Sequence, residues 1–239
     1  MSPIVRALPE APNVNMKAIL LTVIAVLSFG CKGESASPGP DPAHTSGAEH
    51  ALPETHEYAE RLDDAAREKW QKPAEVIALL DCPEAGTVVD LGAGTGYFLR
   101  GLSQAVGPNG RVLALDAERS MVERMYDRVD REGLRNVRPD VIPTDDPSLT
   151  PRSVDRVLIV NTWHHIEARP QYAAKLQEAL RPGGMVLVVD FTAESPIGPP
   201  AARRLTIDTV RAELEAGGMT AEVLEESLPY QYVVAGRVP

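Results

Sequence analysis

Val88-Val89-Asp90-Leu91-Gly92-Ala93-Gly94-Thr95-Gly96 carries the architecture of this chain. A short apolar strand ends in an acid and runs into three glycines on alternate positions. An amphipathic helix is expected next, with Phe98, Leu99, Leu102, Ala105 and Val106 on one side. A strand, loop and helix of this kind are expected to set backbone N–H groups and the positive end of a helix dipole beside a ligand. Glycine lets a ligand approach the main chain without Cβ collisions, and it reaches φ > 0 where a turn needs it. The spacing narrows the ligand: a dinucleotide fingerprint is G-x-G-x-x-G, and Tyr97 stands where its third glycine would be.

The run D-x-G-x-G-x-G resembles motif I of the class I S-adenosylmethionine (SAM) dependent methyltransferases. Arg111-Val112-Leu113-Ala114-Leu115-Asp116 is a second apolar run ending in a carboxylate. An acid at that strand tip can accept both hydroxyls of a nucleoside ribose, or it can cap the following helix. Beside the glycine loop, ribose binding is the better reading.

The remaining sequence continues the alternation. Ser120 to Arg131 is predicted helical, with Met121, Val122, Met125 and Val129 inward and Gly133 as its stop. Asn136–Ile142 and Val154–Val160 are the third and fourth strands, Pro170–Leu180 a helix closed by Pro182-Gly183-Gly184, and Met185–Phe191 the fifth strand. A helix over Leu205–Ala216 precedes two strands, Thr220–Glu226 and Gln231–Val238, with no room for a helix between them. They must pair as a hairpin, so the last strand runs antiparallel to its neighbour. The expected fold is α/β: a Rossmann-like, doubly wound, seven-stranded sheet with helical crossovers between its first five strands. Before it, Glu54–Leu80 shows two helical patterns broken at Pro73, the second with Val76, Ile77 and Leu80 on one face. In the resembled fold this segment lies over the cofactor, which makes Tyr58 and Trp70 candidates to cover it; packing against the sheet is preferred for Trp70.

Ligands of such sheets bind at the carboxyl ends of the strands. Three loops are expected there: Pro143-Thr144-Asp145-Asp146-Pro147, Asn161-Thr162-Trp163-His164-His165-Ile166, and Thr192 to Pro200. The last is expected to border the acceptor. The resemblance covers residues 54–239 and includes the branch of ubiquinone and menaquinone biosynthesis enzymes. Trp70-Gln71-Lys72-Pro73, Asp145-Asp146-Pro147, Trp163-His164-His165-Ile166 and Leu228-Pro229-Tyr230-Gln231-Tyr232 resemble a subgroup of exported or lipid-anchored methyltransferases. The resemblance implies that Gly92, Gly94 and Gly96 hold the methionine end of SAM, with Asp90 orienting the loop or the amino group. It further implies Asp116 on the ribose, Asp145 on the adenine amino group and Asn161 near the transferable methyl. His164 and His165 are the candidate catalytic pair, since an imidazole near neutral pKa can act as a base or orient an acceptor. One is expected to face the pocket while the other packs beneath the loop. No metal-ligand spacing is present.

The first thirty residues read differently. Met16-Lys17, the apolar stretch Ala18 to Phe29 and Gly30-Cys31 form the parts of an export signal, with translation expected to start at Met16. The ending before Cys31 resembles a bacterial lipoprotein processing site, which would place residues 1–30 in an extension and signal and attach lipid to Cys31. An export signal cut elsewhere, or an apolar segment with no export role, are the alternatives. Residues 31–53 are a flexible tether, and the histidines at 44, 50 and 56 within or beside it are expected to bind nothing. Cys82 would then be the one remaining cysteine, a buried structural thiol. The net charge of −10 without a basic cluster disfavours nucleic acid.

The expected function is methyl transfer from SAM to a small-molecule acceptor, quinone-like, lipid or otherwise apolar, by a monomer or homodimer held at the cell envelope. The alternatives are a membrane-tethered domain that keeps the fold without catalysis, and a nicotinamide oxidoreductase, which Tyr97 and the terminal hairpin disfavour. SAM is made in the cytosol while the N-terminus points outward. The chain could be exported and bind something else, SAM could reach its compartment, or the tether could lie on the cytoplasmic side.

Overall fold

The structure is a computed structural model that describes residues 60–239. The signal, Cys31, the tether, its histidines and Tyr58 lie outside the described residues. Among the described residues no helix is long and apolar enough to cross a membrane.

Seven strands form one sheet: β1 (Thr87–Leu91), β2 (Arg111–Asp116), β3 (Val137–Val141), β4 (Val154–Val160), β5 (Leu180–Phe191), β6 (Thr220–Val223) and β7 (Gln231–Arg237). Their order is β3-β2-β1-β4-β5-β7-β6. The first five run parallel, and β7 lies antiparallel between β5 and β6. The expected seven-stranded sheet with an antiparallel last strand is therefore present. The register sets Leu91 beside Leu115 and Ile159, so β1, β2 and β4 end together at one edge, where the strand order switches between β1 and β4.

Period-two alternation assigns the faces. Val88, Ala114, Leu158 and Leu187 point to one side, against α2 (Pro73–Leu80), α3 (Leu99–Val106) and α4 (Arg119–Glu132). Val89, Leu115, Ile159 and Val188 point to the other, against α5 (Arg169–Ala179) and α6 (Ile207–Ala216). Both faces are covered, which is why β4 and β5 are almost continuously apolar. A five-residue helix, α1 (Arg67–Gln71), precedes α2, and Lys72 at φ 44 separates them so that Pro73 opens α2 where its missing N–H costs nothing.

Four expectations are corrected. Residues 142–153 join β3 to β4 without a helix, because Pro143, Pro147 and Pro151 interrupt any helical run. Helix α5 ends at Ala179 and β5 starts at Leu180, five residues early: Leu180 pairs with Val154 before an irregularity restores the register at Met185. The strand predicted to reach Glu226 ends at Val223. Helix α3 begins at Leu99, one residue after Phe98, since Thr95 to Phe98 complete the turn. Pro139 sits within β3, tolerated because β3 is an edge strand.

Candidate functional site

At the switch point a cavity of about 280 Å3 opens between the ends of β1, β2 and β4. Its walls include Gly92, Gly94, Asp116, Asn161 and His165 of the sequence-predicted set, joined by Leu62, Arg67, Met121, Ile142, Thr144, Thr162 and Tyr172. Asp90, Gly96, Asp145 and His164 are not on its walls.

The glycine loop serves the site by what it lacks. The N–H groups of Gly92 and Ala93 both donate to Leu115 O at 2.7 and 3.1 Å, and Gly96 N–H donates to Ala93 O at 2.9 Å. The expectation of N–H groups left over for a ligand is thus corrected for these residues: the turn consumes them to close itself against β2. Gly92 has φ +70, and a Cβ there would stand 2.3 Å from Thr162 Cγ2. Gly96, at φ +82, closes the turn against Leu99.

Asp116 joins the loop to the ligand space. Its Oδ2 accepts Gly94 N–H at 2.8 Å and its Oδ1 accepts Glu118 N–H at 2.9 Å. A carboxylate has about four lone-pair sites, so each oxygen keeps capacity for one ligand hydroxyl. Burial raises the carboxyl's pKa, and the backbone N–H donors of Glu118, Gly94 and Ala117 work against that rise. The capping alternative holds in altered form, since Asp116 braces the turn ahead of α4 while Glu118 is the helix N-cap.

Asp90 is 2% exposed, and its Oδ2 has no hydrogen-bond partner. Burial pushes its pKa up to about 7; the Arg67 charge opposes this and the Asp116 charge adds to it. The unfolded carboxyl titrates near pH 4. Between roughly pH 4 and 7 the folded state holds a proton that the unfolded state has released, so stability falls as pH rises across that window and levels above it. Urea midpoints of the wild type, minus those of Asp90→Asn, are expected to decline from pH 5 to pH 7; a flat difference would show that Asp90 is ionised throughout.

A strap before the sheet, on which the sequence offered Tyr58 and Trp70 as covering candidates, reaches the cavity through Leu62 and Arg67. Asp63 Oδ1 accepts Thr95 Oγ1–H at 2.8 Å and pairs with Arg128 at 2.5 Å. Arg67 is 7% exposed, donates to Leu62 O at 2.8 Å and lies over the Tyr97 ring at 4.2 Å. Trp70 packs against Phe191 with ring centroids 6.1 Å apart.

Three side-chain amides then form a closed cycle. Asn161 Nδ2 donates to Gln71 Oε1 at 3.3 Å, Gln71 Nε2 to Gln231 Oε1 at 2.7 Å, and Gln231 Nε2 to Asn161 Oδ1 at 2.6 Å. Asn161 has φ 55, a left-handed conformation that asparagine tolerates better than most residues. The cycle locks α1 to the ends of β4 and β7. It brings Trp70-Gln71-Lys72-Pro73 and the run containing Gln231 together in space.

The two histidines divide as expected. His165 is on the cavity wall. His164 turns inward, its side chain 3% exposed, with Nδ1 2.9 Å from both oxygens of Asp190. The rings lie 4.2 Å apart and tilted by 39°. Asp190 gave no signal in sequence, being an acid at a strand end like several others. Trp163 anchors the turn below, donating Nε1–H to Glu213 at 2.8 Å.

Asp145 sits exposed in a turn, its carbonyl accepting Lys175 Nζ–H at 2.7 Å, while its neighbour Thr144 faces the cavity. The loop after β5 is pinned by Arg204, which donates to five carbonyls: Thr192, Ala193, Ser195, Ile197 and Pro199. Burial lifts the Cys82 thiol to about 11, which makes it unreactive at neutral pH.

A glycine turn with no room for a Cβ, an acid at the tip of β2 and a sheet closed by an antiparallel β7 define the class. Residues 60–239 have the fold of the class I SAM-dependent methyltransferases. Residues 88–184 match the family described as Methyltransferase domain. A SAM dependent methyltransferase from Aquifex aeolicus superposes with a TM-score of 0.72 at 26% identity, covering 77% of this chain and 98% of that one. The ubiquinone/menaquinone biosynthesis C-methyltransferase of Hydrogenovibrio crunogenus is 27% identical over 124 residues, 52% of this chain and 48% of that protein. The protein-L-isoaspartate O-methyltransferase of Aeropyrum pernix is 30% identical over 135 residues, 55% of this chain and 46% of that protein. The chain spans about half the length of these curated relatives.

Proposed function

We propose that the domain transfers a methyl group from SAM to a small apolar acceptor. The observation that carries this is Asp116 braced by Gly94 N–H on the wall of one cavity, where a ribose diol would find two carboxylate oxygens. Gly92 and Gly94 leave the methionine end room against the main chain, and Ile142, Met121 and Tyr172 offer an apolar wall for adenine. The donor set suits the group: carboxylates for hydroxyls and ammonium, a guanidinium for the carboxylate. When bound, SAM supplies a methyl on a sulfonium, already activated for in-line displacement. The chain's task is then orientation. Asn161, fixed by two glutamines, and His165 border the space an acceptor would enter, and His165 is the histidine of the pair placed to orient it or take its proton. The mixed specificities of the relatives name no acceptor for this chain. Export and lipid attachment at Cys31 belong to the same proposal and rest on the sequence.

Replacing Asp116 by alanine removes the ribose acceptor and strands two backbone N–H groups. S-adenosylhomocysteine binding is expected to weaken by roughly 1–3 kcal/mol, measured by titration calorimetry. Unchanged affinity would sink the ribose assignment.

A further inference from the structure

A cycle of three side-chain amides can close in either sense, with every amide turned over. At Gln71, Asn161 and Gln231 the neighbouring Arg67 removes the choice. Its Nε and Nη2 donate to Gln71 Oε1 at 3.4 and 3.3 Å, and a guanidinium has no acceptor. A reversed cycle would set the Gln71 amide nitrogen against it, donor against donor. With Gln71 Oε1 toward Arg67, Gln71 Nε2 meets Gln231 Oε1, and Gln231 Nε2 meets Asn161 Oδ1. Neither glutamine can turn to water instead, since Gln71 is 0% and Gln231 1% exposed.

The sense of the cycle decides what Asn161 offers. Its oxygen is held by a short bond from Gln231, at 2.6 Å. Its nitrogen is held loosely. Gln71 Oε1 is shared by N–H groups of Arg67 and Asn161, none closer than 3.3 Å, where an N–H···O bond is ordinarily about 2.9–3.0 Å. The second Asn161 Nδ2–H has no acceptor among the described residues. Asn161 stands half-buried on the cavity wall, with the guanidinium of Arg67 on the same wall. Both side chains bring N–H groups to it, and the one amide oxygen of Asn161 is already engaged.

We infer that Asn161 determines specificity for the methyl acceptor: its amide nitrogen donates to an oxygen of that molecule, a carbonyl or an oxyanion. Gln71 and Gln231 are the positioning residues that hold it in this sense. The inference rests on the SAM reading above and narrows the apolar acceptor to one that carries a hydrogen-bond-accepting oxygen. An ammonium brought to the same place meets donors. A site built to pair one kind of group rejects its opposite, because its own polar atoms are left stranded.

Two naphthalenes of like shape probe this on the full chain saturated with S-adenosylhomocysteine. The carbonyl of 2-acetylnaphthalene only accepts, and the ammonium of 2-(aminomethyl)naphthalene only donates. Titration calorimetry gives the affinities, and nitrogen-15 NMR of the side-chain amides reports the contact. The ketone is expected to bind about tenfold tighter than the amine, and to shift the Asn161 amide protons. Asn161→Asp, which exchanges the donor for an acceptor at equal size, is expected to reverse that order. Gln231→Met frees the Asn161 oxygen without adding charge, and is expected to bring the two affinities together. A cycle with a structural role alone would lower the melting temperature of Gln231→Met and leave the ratio as in the wild type. With S-adenosylhomocysteine bound, absence of ketone binding, an amine that binds as tightly as the ketone, or a ratio that survives Gln231→Met would each overturn the inference. If a variant does not fold, the wild-type ratio and the Asn161 shift decide alone. Failure of S-adenosylhomocysteine to bind the wild type would overturn the SAM reading and this inference with it.

Discussion

Replacing Gly92 by alanine is expected to destabilise the domain by about 2–4 kcal/mol, combining the cost of a left-handed non-glycine residue with overpacking. The overlap is with three atoms of the Thr162 side chain, between 2.3 and 2.8 Å from the new Cβ. Threonine is stiff at χ1, so it cannot swing away as a long side chain would. Its movement would displace the start of the turn that carries His164 and His165. Thermal unfolding should shift down by about 5–15 °C for a domain of this size, and S-adenosylhomocysteine affinity should fall with it. Gly133→Ala is the matched comparison, because Gly133 also has a positive φ, +67, but nothing lies within 4 Å of its added Cβ. It should cost about 1 kcal/mol. Equal losses at the two positions would mean that the contact with Thr162 carries no energy.

The second large effect is expected at Asp190. Replacing it by leucine leaves His164 Nδ1 and Phe191 N–H without their acceptor in a region where the imidazole is 3% exposed. Leaving a buried polar group without its partner costs about 1–3 kcal/mol for each group. Replacing both residues by leucine should restore much of that loss, because apolar groups of similar volume leave nothing to pair. Urea unfolding of the two single variants and the double variant measures this directly. Simple additivity would show that the two side chains do not depend on one another. Neither residue lines the cavity, so S-adenosylhomocysteine affinity of the folded variants should stay near wild type.

These cases show which parts of the molecule can be read along the chain. The strand Val88–Leu91, the glycines and the second strand ending at Asp116 are local patterns, and their meaning depends on neighbours a few residues away. Alternating burial and φ > 0 positions are written in residue type, so the parallel sheet, its terminal hairpin and the cofactor edge were legible before any coordinates. Boundaries were less so. The early start of β5 depends on pairing with Val154, and the missing crossover helix depends on prolines whose effect the strand pattern does not register.

The cavity's finer chemistry was not legible, because it arises between residues far apart in the chain. Gln71 and Gln231 are 160 positions apart and meet only through Asn161. Arg67 became a wall of the site because the strap folds back over Gly94, and a pattern of helical spacing cannot say over what a helix will lie. The tandem histidines are alike in sequence; burial against Asp190 sent His164 inward and left His165 at the cavity. Local order follows from the preferences of neighbouring residues. Which acid is left without a donor, and which histidine faces the cavity, follows from packing across the sheet, where enclosure and distance set the energy of each charge.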